Sequence, residues 1–328
     1  MTVEANIIER PGFCGVYLNG PPLLWRASCQ SLSAAAQHAL MPWSNAEESY
    51  VNKGHVIQNN WIWDLGQRAQ HGSAVWIWQS GNNMIIHNRV QEAPRNAVGL
   101  YGVRGGMQND SYFGQITDFW HGLDCLTSRN NIVAFNRISC VLRDSNDGGA
   151  LESWGSGRDN QWYSNCISDL DPGILDMGTR YTPLMQDDAS HYLNVSSNIV
   201  HHVKESWQPG FQSAGSAVSV GSILQNNVFA DSRLGFLVSL GYFIEPSANK
   251  ILAQNIWANI SVNASQRDLI SVGGPGCFQG NPNGTLACAG AWAVCNDTVN
   301  RPGPGSLCHL CHLFKARRVH GDDKAEPA

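Results

Sequence analysis

The chain has 328 residues and a formal net charge of −5 at pH 7, with 14% charged and 43% hydrophobic residues. This acidic balance excludes the broad basic surface that binds nucleic acid or an anionic membrane. No apolar run reaches the roughly 18 residues that a membrane-spanning helix requires. We therefore expect neither nucleic acid nor a membrane as a partner.

One spaced pattern recurs along most of the chain. It consists of an apolar residue, an asparagine three positions later, and a second apolar residue two positions after that. The asparagines are Asn6, Asn60, Asn88, Asn136, Asn165, Asn198, Asn227 and Asn255. Successive intervals are 54, 28, 48, 29, 33, 29 and 28 residues. Because four intervals cluster at 28 or 29, the pattern indicates a solenoid with loops inserted at the longer intervals.

The segments around these asparagines are short, rich in Ile, Val, Trp and Phe, and lack a sustained helical period. Stacked turns would align their apolar residues in one core, and each asparagine could bond to its equivalents above and below. Such bonding satisfies an amide that is otherwise costly to bury. The pattern predicts an all-β fold, a single-stranded right-handed parallel β-helix with about eight visible rungs. The alternative is a set of loop asparagines in another all-β fold.

The predicted β-helix covers residues 1–270, with inserts near 21–53 and 103–129. The first rung has a second strand near Val16–Leu18, and the first insert contains a candidate helix, Ser33–Leu40, capped by Ser33. The chain begins inside a repeat, where a solenoid normally has a cap, so we expect either a fragment or a misplaced start. Residues 271–328 are rich in Gly, Pro and Cys and predict a poorly ordered tail.

Each regular rung is predicted to carry a further strand that begins with small residues. These strands are Ser73–Trp78, Asn96–Tyr101, Gly149–Trp154 and Ser216–Val220. Side chains on the outer face of such a sheet stand in register on a stiff surface. Several rungs together therefore suit an extended polymer.

Cysteines and glycosylation motifs favour a secreted protein, although the N-terminus lacks the basic and apolar regions of a signal peptide. Five of the ten cysteines lie at or after Cys277, and their pairing cannot be deduced from the sequence. Six Asn-x-Ser/Thr motifs add weak support. The string Cys308-His-Leu-Cys-His312 matches a haem-attachment motif, but no second signal accompanies it. We predict no cofactor and no metal.

Carboxylates concentrate at the predicted outer strands of two successive rungs. Asp147 begins one strand, and Asp187 and Asp188 follow the corresponding strand of the next rung. Two carboxylates that flank a glycosidic bond can act as general acid and as nucleophile or base. The plainer interpretation is that these are turn residues, since Asp-Gly-Gly is a strong turn signal.

The sequence around these aspartates resembles a known superfamily. The matching segments are Asp147-Gly-Gly-Ala-Leu-Glu-Ser-Trp-Gly155, Asn165-Cys-Ile-Ser-Asp169, Gln186-Asp-Asp-Ala-Ser190, Trp78-Gln-Ser-Gly-Asn-Asn83, His87-Asn88 and Ala93-Pro-Arg95. They resemble the right-handed parallel β-helix superfamily of pectate lyases, and within it glycoside hydrolase family 141 and related glycosidases, over roughly residues 1–265. The resemblance implies that Asp147 and Asp188 are the catalytic pair, with Asp187 as a close rival. The chain lacks the N-terminal part and the C-terminal module usual in that family.

Other side chains are candidates for contacting a sugar. Aromatic faces pack against apolar sugar faces, and the candidates for this are Trp76, Trp78, Trp120 and Trp154. His87, Arg95 and Arg143 are candidate hydrogen-bond donors, and Glu152 is a candidate third carboxylate. The plainer interpretation is core or surface packing for the tryptophans and a structural role for His87 beside a ladder asparagine.

Three functions remain open, with a polysaccharide or oligosaccharide as the partner of a monomeric protein. The first is a glycoside hydrolase acting on a plant or algal cell-wall polysaccharide. The second is a polysaccharide lyase, for which Arg143 and Arg180 are nearby basic groups. The third is a non-catalytic or truncated carbohydrate-binding protein. For the hydrolase, we expect the Asp147 and Asp188 carboxyl groups to lie about 4.5–9.5 Å apart.

Overall fold

A computed structural model describes most of the repetitive region. The described residues are 1–20, 52–69, 71–102, 128–145, 147–170, 180–187, 190–203, 211–213, 222–232, 238–240, 251–253 and 256–260. These residues form strands and turns and include no helix. The predicted helix Ser33–Leu40, the predicted strand Ser216–Val220, Asn255 and the tail 271–328 lie outside the described residues. Over the described ranges, no helix is long and apolar enough to cross a membrane.

The strands, numbered in chain order, form three sheets. Sheet A contains β1 (Thr2–Glu4), β4 (Val56–Gln58), β7 (Met84–Ile86), β10 (Ile132–Ala134), β13 (Gln161–Tyr163), β16 (Asn194–Ser196), β19 (Ile223–Gln225) and β22 (Ile251–Ala253). Sheet B contains β2 (Ile7–Glu9), β5 (Trp61–Trp63), β8 (Arg89–Gln91), β11 (Arg137–Ser139), β14 (Cys166–Ser168), β17 (Ile199–His201), β20 (Val228–Ser232) and β23 (Ile256–Ile260). Sheet C contains β3 (Val16–Asn19), β6 (Val75–Trp78), β9 (Val98–Tyr101), β12 (Asp147–Trp154), β15 (Arg180–Gln186), β18 (Phe211–Ser213) and β21 (Val238–Leu240).

Within each sheet, equivalent strands of successive repeats pair in parallel. In sheet A, Ile85 pairs with Ile57 on one side and with Val133 on the other. All three side chains are fully buried and belong to the same hydrophobic core. The chain is therefore an all-β solenoid of stacked parallel strands. Both predicted apolar columns are confirmed in its core, one from Ile57 to Leu224 in sheet A and the other from Ile62 to Phe229 in sheet B.

The predicted asparagine ladder is confirmed at the corner between sheets A and B. Each Asn Nδ2 donates to the Oδ1 of the next asparagine at 3.0 Å through Asn6, Asn60, Asn88, Asn136, Asn165, Asn198 and Asn227. The same Oδ1 atoms also accept the backbone N–H of the preceding asparagine, at 2.9–3.1 Å. The buried amides are thus satisfied from both sides, as the burial of polar groups requires.

The residue before each ladder asparagine adopts a left-handed backbone conformation. These residues are Ala5, Asn59, His87, Phe135, Ser164, Ser197 and Asn226, with φ between 53° and 57°. A non-glycine residue costs roughly 1–2 kcal/mol in this conformation. The repeated ladder bonds offset that cost, so one sharp bend recurs between sheets A and B.

A second asparagine ladder, which the sequence interpretation missed, lies at the corner between sheets C and A. Asn83 Nδ2 donates to Asn131 Oδ1 at 2.9 Å, and Asn131 Nδ2 donates to Asn160 Oδ1 at 3.0 Å. Each lies five residues before an asparagine of the first ladder. That constant offset was the available signal, but it extends over only three repeats.

Candidate functional site

The outer face of sheet C carries a strip of aromatic side chains. In these strands Ile77, Leu100 and Leu151 point into the core and are fully buried. The alternate residues Trp76 and Trp78 point outward and are partly exposed. Phe13 and Tyr17 extend this face, with exposures of 42% and 56%, and lie 5.5 Å and 6.4 Å from the Trp76 ring. The aromatic strip therefore presents a broad apolar surface across successive strands.

Trp78 and Trp154 meet on this face although a whole strand lies between them. The register aligns Trp78 with Tyr101 and Tyr101 with Trp154. The ring centroids of the two tryptophans are nevertheless 6.3 Å apart, with planes inclined by 31°. Both rings are partly exposed. The two predicted sugar-stacking residues thus form one surface.

The tryptophans can approach because the Tyr101 ring turns back under the face. Its centroid lies 4.8 Å from that of Trp76, and its ring occupies the space where a Gly99 side chain would stand. The Tyr101 hydroxyl donates to Asn96 Oδ1 at 2.8 Å, and Ser73 Oγ donates to the same oxygen at 3.0 Å. Burial and the nearby Glu152 carboxylate raise the pKa of Tyr101 well above its usual value. Tyr101 therefore acts as a neutral buried donor.

A buried ion pair lies beside Tyr101. Glu152 is 1% exposed, and Arg95 Nη2 donates to its Oε1 at 3.0 Å, while Arg95 Nε donates to its Oε2 at 3.4 Å. Asn96 Nδ2 donates to the same Oε2, and Arg95 Nη1 also contacts His71 Nε2. We call Ser73, Arg95, Asn96, Tyr101 and Glu152 the buried polar cluster. Glu152 and Arg95 are thus neighbours, but Glu152 is not placed to protonate a bound substrate.

The two glycines after Asp147 make room for the buried polar cluster. Gly148 has φ of +140°, and a Cβ there would lie 2.9 Å from Glu152 Oε2 and 3.2 Å from Arg95 Nε. A Cβ on Gly149 would collide with the Leu151 carbonyl oxygen and with Met185. The Asp-Gly-Gly string therefore lies within β12 and not in a turn, and its glycines reflect close packing around a carboxylate.

The register does not bring Asp147 and Asp187 together. Asp147 is aligned with Arg180 at the start of β12 and β15, whereas the Asp187 N–H donates to the Ser153 carbonyl at 2.7 Å beyond their other end. Positions 180 and 187 are seven residues apart, or about 23 Å at about 3.3 Å per residue. Pairing of Asp147 with Asp187 was wrong because β12 runs from Asp147 to Trp154, so the two aspartates mark opposite ends of a long strand pair.

Asp188 and Trp120 lie outside the described residues. The expected separation of the Asp147 and Asp188 carboxyl groups therefore stays a prediction, and the position of Asp187 counts against it. Asp187 itself follows β15, and the strand register places its backbone beside that of Trp154.

His87 and Arg143 do not join the face of sheet C. His87 occupies the turn between β7 and β8, at the corner of sheets A and B, and stacks on Phe135 with centroids 5.0 Å apart. Arg143 Nη1 donates to Glu92 Oε2 at 3.1 Å, with both side chains 12% exposed. One lies in a repeated turn and the other in an ion pair, away from the two tryptophans, and their roles in sugar binding stay predictions.

Neither a metal site nor a relative identifies the protein. In the part of the chain that is described, no three His, Cys, Asp or Glu side chains are grouped so as to hold a metal ion. No protein-family model matches the chain, and neither a curated protein nor a solved structure matches it. The candidate site is therefore defined by its geometry, as a partly exposed aromatic face on a β-solenoid.

Proposed function

We propose that this is a carbohydrate-active protein whose sheet C binds a polysaccharide across successive strands. The observation that carries the proposal is the contact between Trp78 and Trp154, whose ring centroids lie 6.3 Å apart on the outer face. Partly exposed indoles offer apolar faces for sugar rings and polar edges for water. The wider strip through Trp76, Tyr17 and Phe13 supplies further contact area for a polymer.

The proposal includes a right-handed coil of about eight rungs, as in the pectate-lyase-like superfamily. Right-handedness is supported by the strong preference of parallel strand connections for that hand, about 98% of cases. The sequence resemblance to glycoside hydrolase family 141 and its relatives supports a sugar polymer as ligand. The family and the monomeric state stay predictions.

Substitution of the two tryptophans tests the binding proposal. We expect Trp78→Ala and Trp154→Ala each to weaken binding about 3- to 10-fold, the size of one lost aromatic contact. Affinity electrophoresis through gels that each contain one plant or algal polysaccharide measures this effect. Phe135→Ala is the matched control, because Phe135 is an exposed aromatic residue at another corner. Equal migration of all three variants with every polysaccharide would contradict the proposal.

Glycoside hydrolysis is the second proposal, favoured by the position of Asp187 beside Trp154. An acid at the edge of a stacking surface is where a carboxyl group could reach the linkage between two bound sugars. In this arrangement Asp187, with Asp188 as its neighbour in sequence, carries the chemistry. Asp147 lies at the other end of β12 and takes no part in this arrangement.

An assay for reducing ends tests hydrolysis separately from binding. The wild type should release reducing ends from a polysaccharide that it binds, and Asp187→Asn should lower the rate at least about 100-fold, as for loss of a general acid or base. Asp159→Asn is a control at an exposed aspartate that is ion-paired to Arg158. Products with the ultraviolet band of unsaturated uronides would indicate a lyase, and binding without any products would indicate a non-catalytic protein.

A further inference from the structure

The outer face of sheet B carries a second aromatic and charged surface, separate from sheet C. Ile62, Val90 and Ile138 point inward and are at most 1% exposed. The register places Trp61, Arg89 and Arg137 in one outward column on the adjacent strands β5, β8 and β11. Trp63 lies two residues after Trp61 on the same face. We call Trp61, Trp63, Arg89 and Arg137 the arginine–tryptophan surface.

The planar groups of this surface are stacked. The Trp61 and Trp63 rings lie 5.7 Å apart with planes inclined by 22°, and the Arg89 guanidinium carbon lies 5.0 Å from a Trp61 ring centroid. Trp61 Nε1 donates to Gln91 Oε1 at 3.2 Å, which fixes the indole. A guanidinium stacked on an aromatic face keeps its N–H donors in its own plane, where a ligand can reach them.

Arg89 and Arg137 differ from Arg95 and Arg143, which are also partly buried, in having no carboxylate partner among the described residues. Arg95 and Arg143 each have a carboxylate partner within 3.1 Å. Among the described residues, no ion pair involves Arg89 or Arg137, and Arg89 Nε has no hydrogen-bond partner. Burial and the neighbouring charge of Arg137 lower the pKa of Arg89.

Two like charges on adjacent strands repel, and a bound anion would relieve that repulsion while filling the empty donors. We propose that the arginine–tryptophan surface binds an acidic polysaccharide through a uronate carboxylate. The guanidinium fork matches a carboxylate, and the adjacent indoles supply an apolar surface for the ring that bears it. A small inorganic anion would leave the tryptophans unused, and a neutral glycan would leave the charges unpaired.

Binding of polygalacturonate, a homopolymer with one carboxylate per sugar, tests this proposal on the full chain. We expect Arg137→Gln to raise the dissociation constant at least about tenfold, as for loss of a charge-assisted contact. Added salt should weaken wild-type binding, and it should weaken binding by Arg137→Gln less. Arg158→Gln is the matched control, because that arginine is exposed and already paired with Asp159. Titration calorimetry at two salt concentrations measures both effects.

Arg137 is the primary position because only its backbone is hydrogen-bonded, to Asn88, and no ion pair holds its side chain among the described residues, so its replacement should not unfold the protein. Arg89→Lys is the second variant, since it keeps the charge and removes the planar fork; it should weaken binding without a change in melting temperature. Unchanged polygalacturonate affinity in Arg137→Gln would overturn the proposal. Binding of dextran sulfate with none of polygalacturonate would also overturn it, because the preferred anion would then be a sulfate.

The same titration in Trp78→Ala/Trp154→Ala separates this surface from the one on sheet C. The tenfold effect of Arg137→Gln should persist in that background, since the residues lie on different sheets. If the sheet C proposal fails, the sheet B effect should remain. Loss of the Arg137 effect in that background would assign the acidic polymer to sheet C and overturn the second site.

Discussion

The asparagine ladder and the buried polar cluster both bury amides and satisfy them, yet they differ in repetition. The ladder uses the same bond at seven asparagines at the corner of sheets A and B. Over the described ranges the cluster occurs once, and its Glu152–Arg95 pair joins residues 57 positions apart. The repeated bond of the ladder holds successive turns of the coil at the same spacing. The single cluster instead shapes one face, since it holds Tyr101 below the Trp78–Trp154 contact.

The largest test of this difference removes the acid of the buried polar cluster. Glu152→Leu leaves Arg95 largely buried and without a carboxylate, which we expect to destabilise the protein by about 3–5 kcal/mol. Arg95→Met/Glu152→Leu removes both charges and should recover at least half of that loss. Denaturant unfolding measures both values. A double variant as unstable as the single one would show that the cost comes from lost packing and not from an unpaired charge.

The loss of stability on removing a ladder asparagine should depend on how deeply that asparagine is buried. Asn165→Ala removes two donors and an oxygen that accepts from Asn136, all within the core, and should cost about 2–4 kcal/mol. Asn6→Ala is the matched change at the exposed end, where water can replace the lost bonds, and should cost less than about 1 kcal/mol. Thermal unfolding compares the two, and equal costs would mean that the ladder does not depend on burial.

The smallest expected effect concerns Glu92, the ion-pair partner of Arg143. Burial raises the pKa of Glu92. The positive charge of Arg143 opposes this shift, and the negative charge of Asp64 adds to it. The folded state thus holds this proton more tightly than the unfolded chain, so the associated stability is present below the ordinary pKa of 4.5 and is lost as pH rises through the raised value.

The melting temperature of the wild type relative to Glu92→Gln should therefore fall between pH 4 and pH 8. Because other groups titrate equally in both proteins, the difference isolates Glu92. If the melting temperature of the wild type minus that of Glu92→Gln instead rises with pH, the ion pair with Arg143 has a larger effect on the pKa of Glu92 than burial has.

The periodic features could be predicted from the sequence, because each repeat places the same residue type in the same column. This applies to the first ladder and to core columns such as Ile57, Ile85 and Val133. The second ladder was missed because Asn83, Asn131 and Asn160 share an offset over only three repeats. Trp78 and Trp154 were predicted as separate stacking residues, but their contact depends on the position of the Tyr101 ring.

The predicted pairing of Asp147 with Asp187 failed for a related reason. The sequence indicates which strands are equivalent, but the pairing of individual residues depends on strand length and on where the chain turns. In β12 and β15 the shared stretch is long enough to separate the two aspartates by about 23 Å. His87 was likewise assigned by its sequence neighbours, whereas its left-handed backbone conformation places it in a repeated turn.

By itself, the sequence determined that the chain is a solenoid, which side chains form its core and which amides bond along its length. These properties follow from a repeated pattern, since burial and hydrogen bonding impose the same demand on every turn. Only the tertiary structure decided that Arg95 meets Glu152, that Trp78 meets Trp154, and that Arg89 and Arg137 lie side by side with no carboxylate partner in the described part of the chain. Such contacts join single residues from different turns, and their geometry depends on how side chains share space that no repeat specifies.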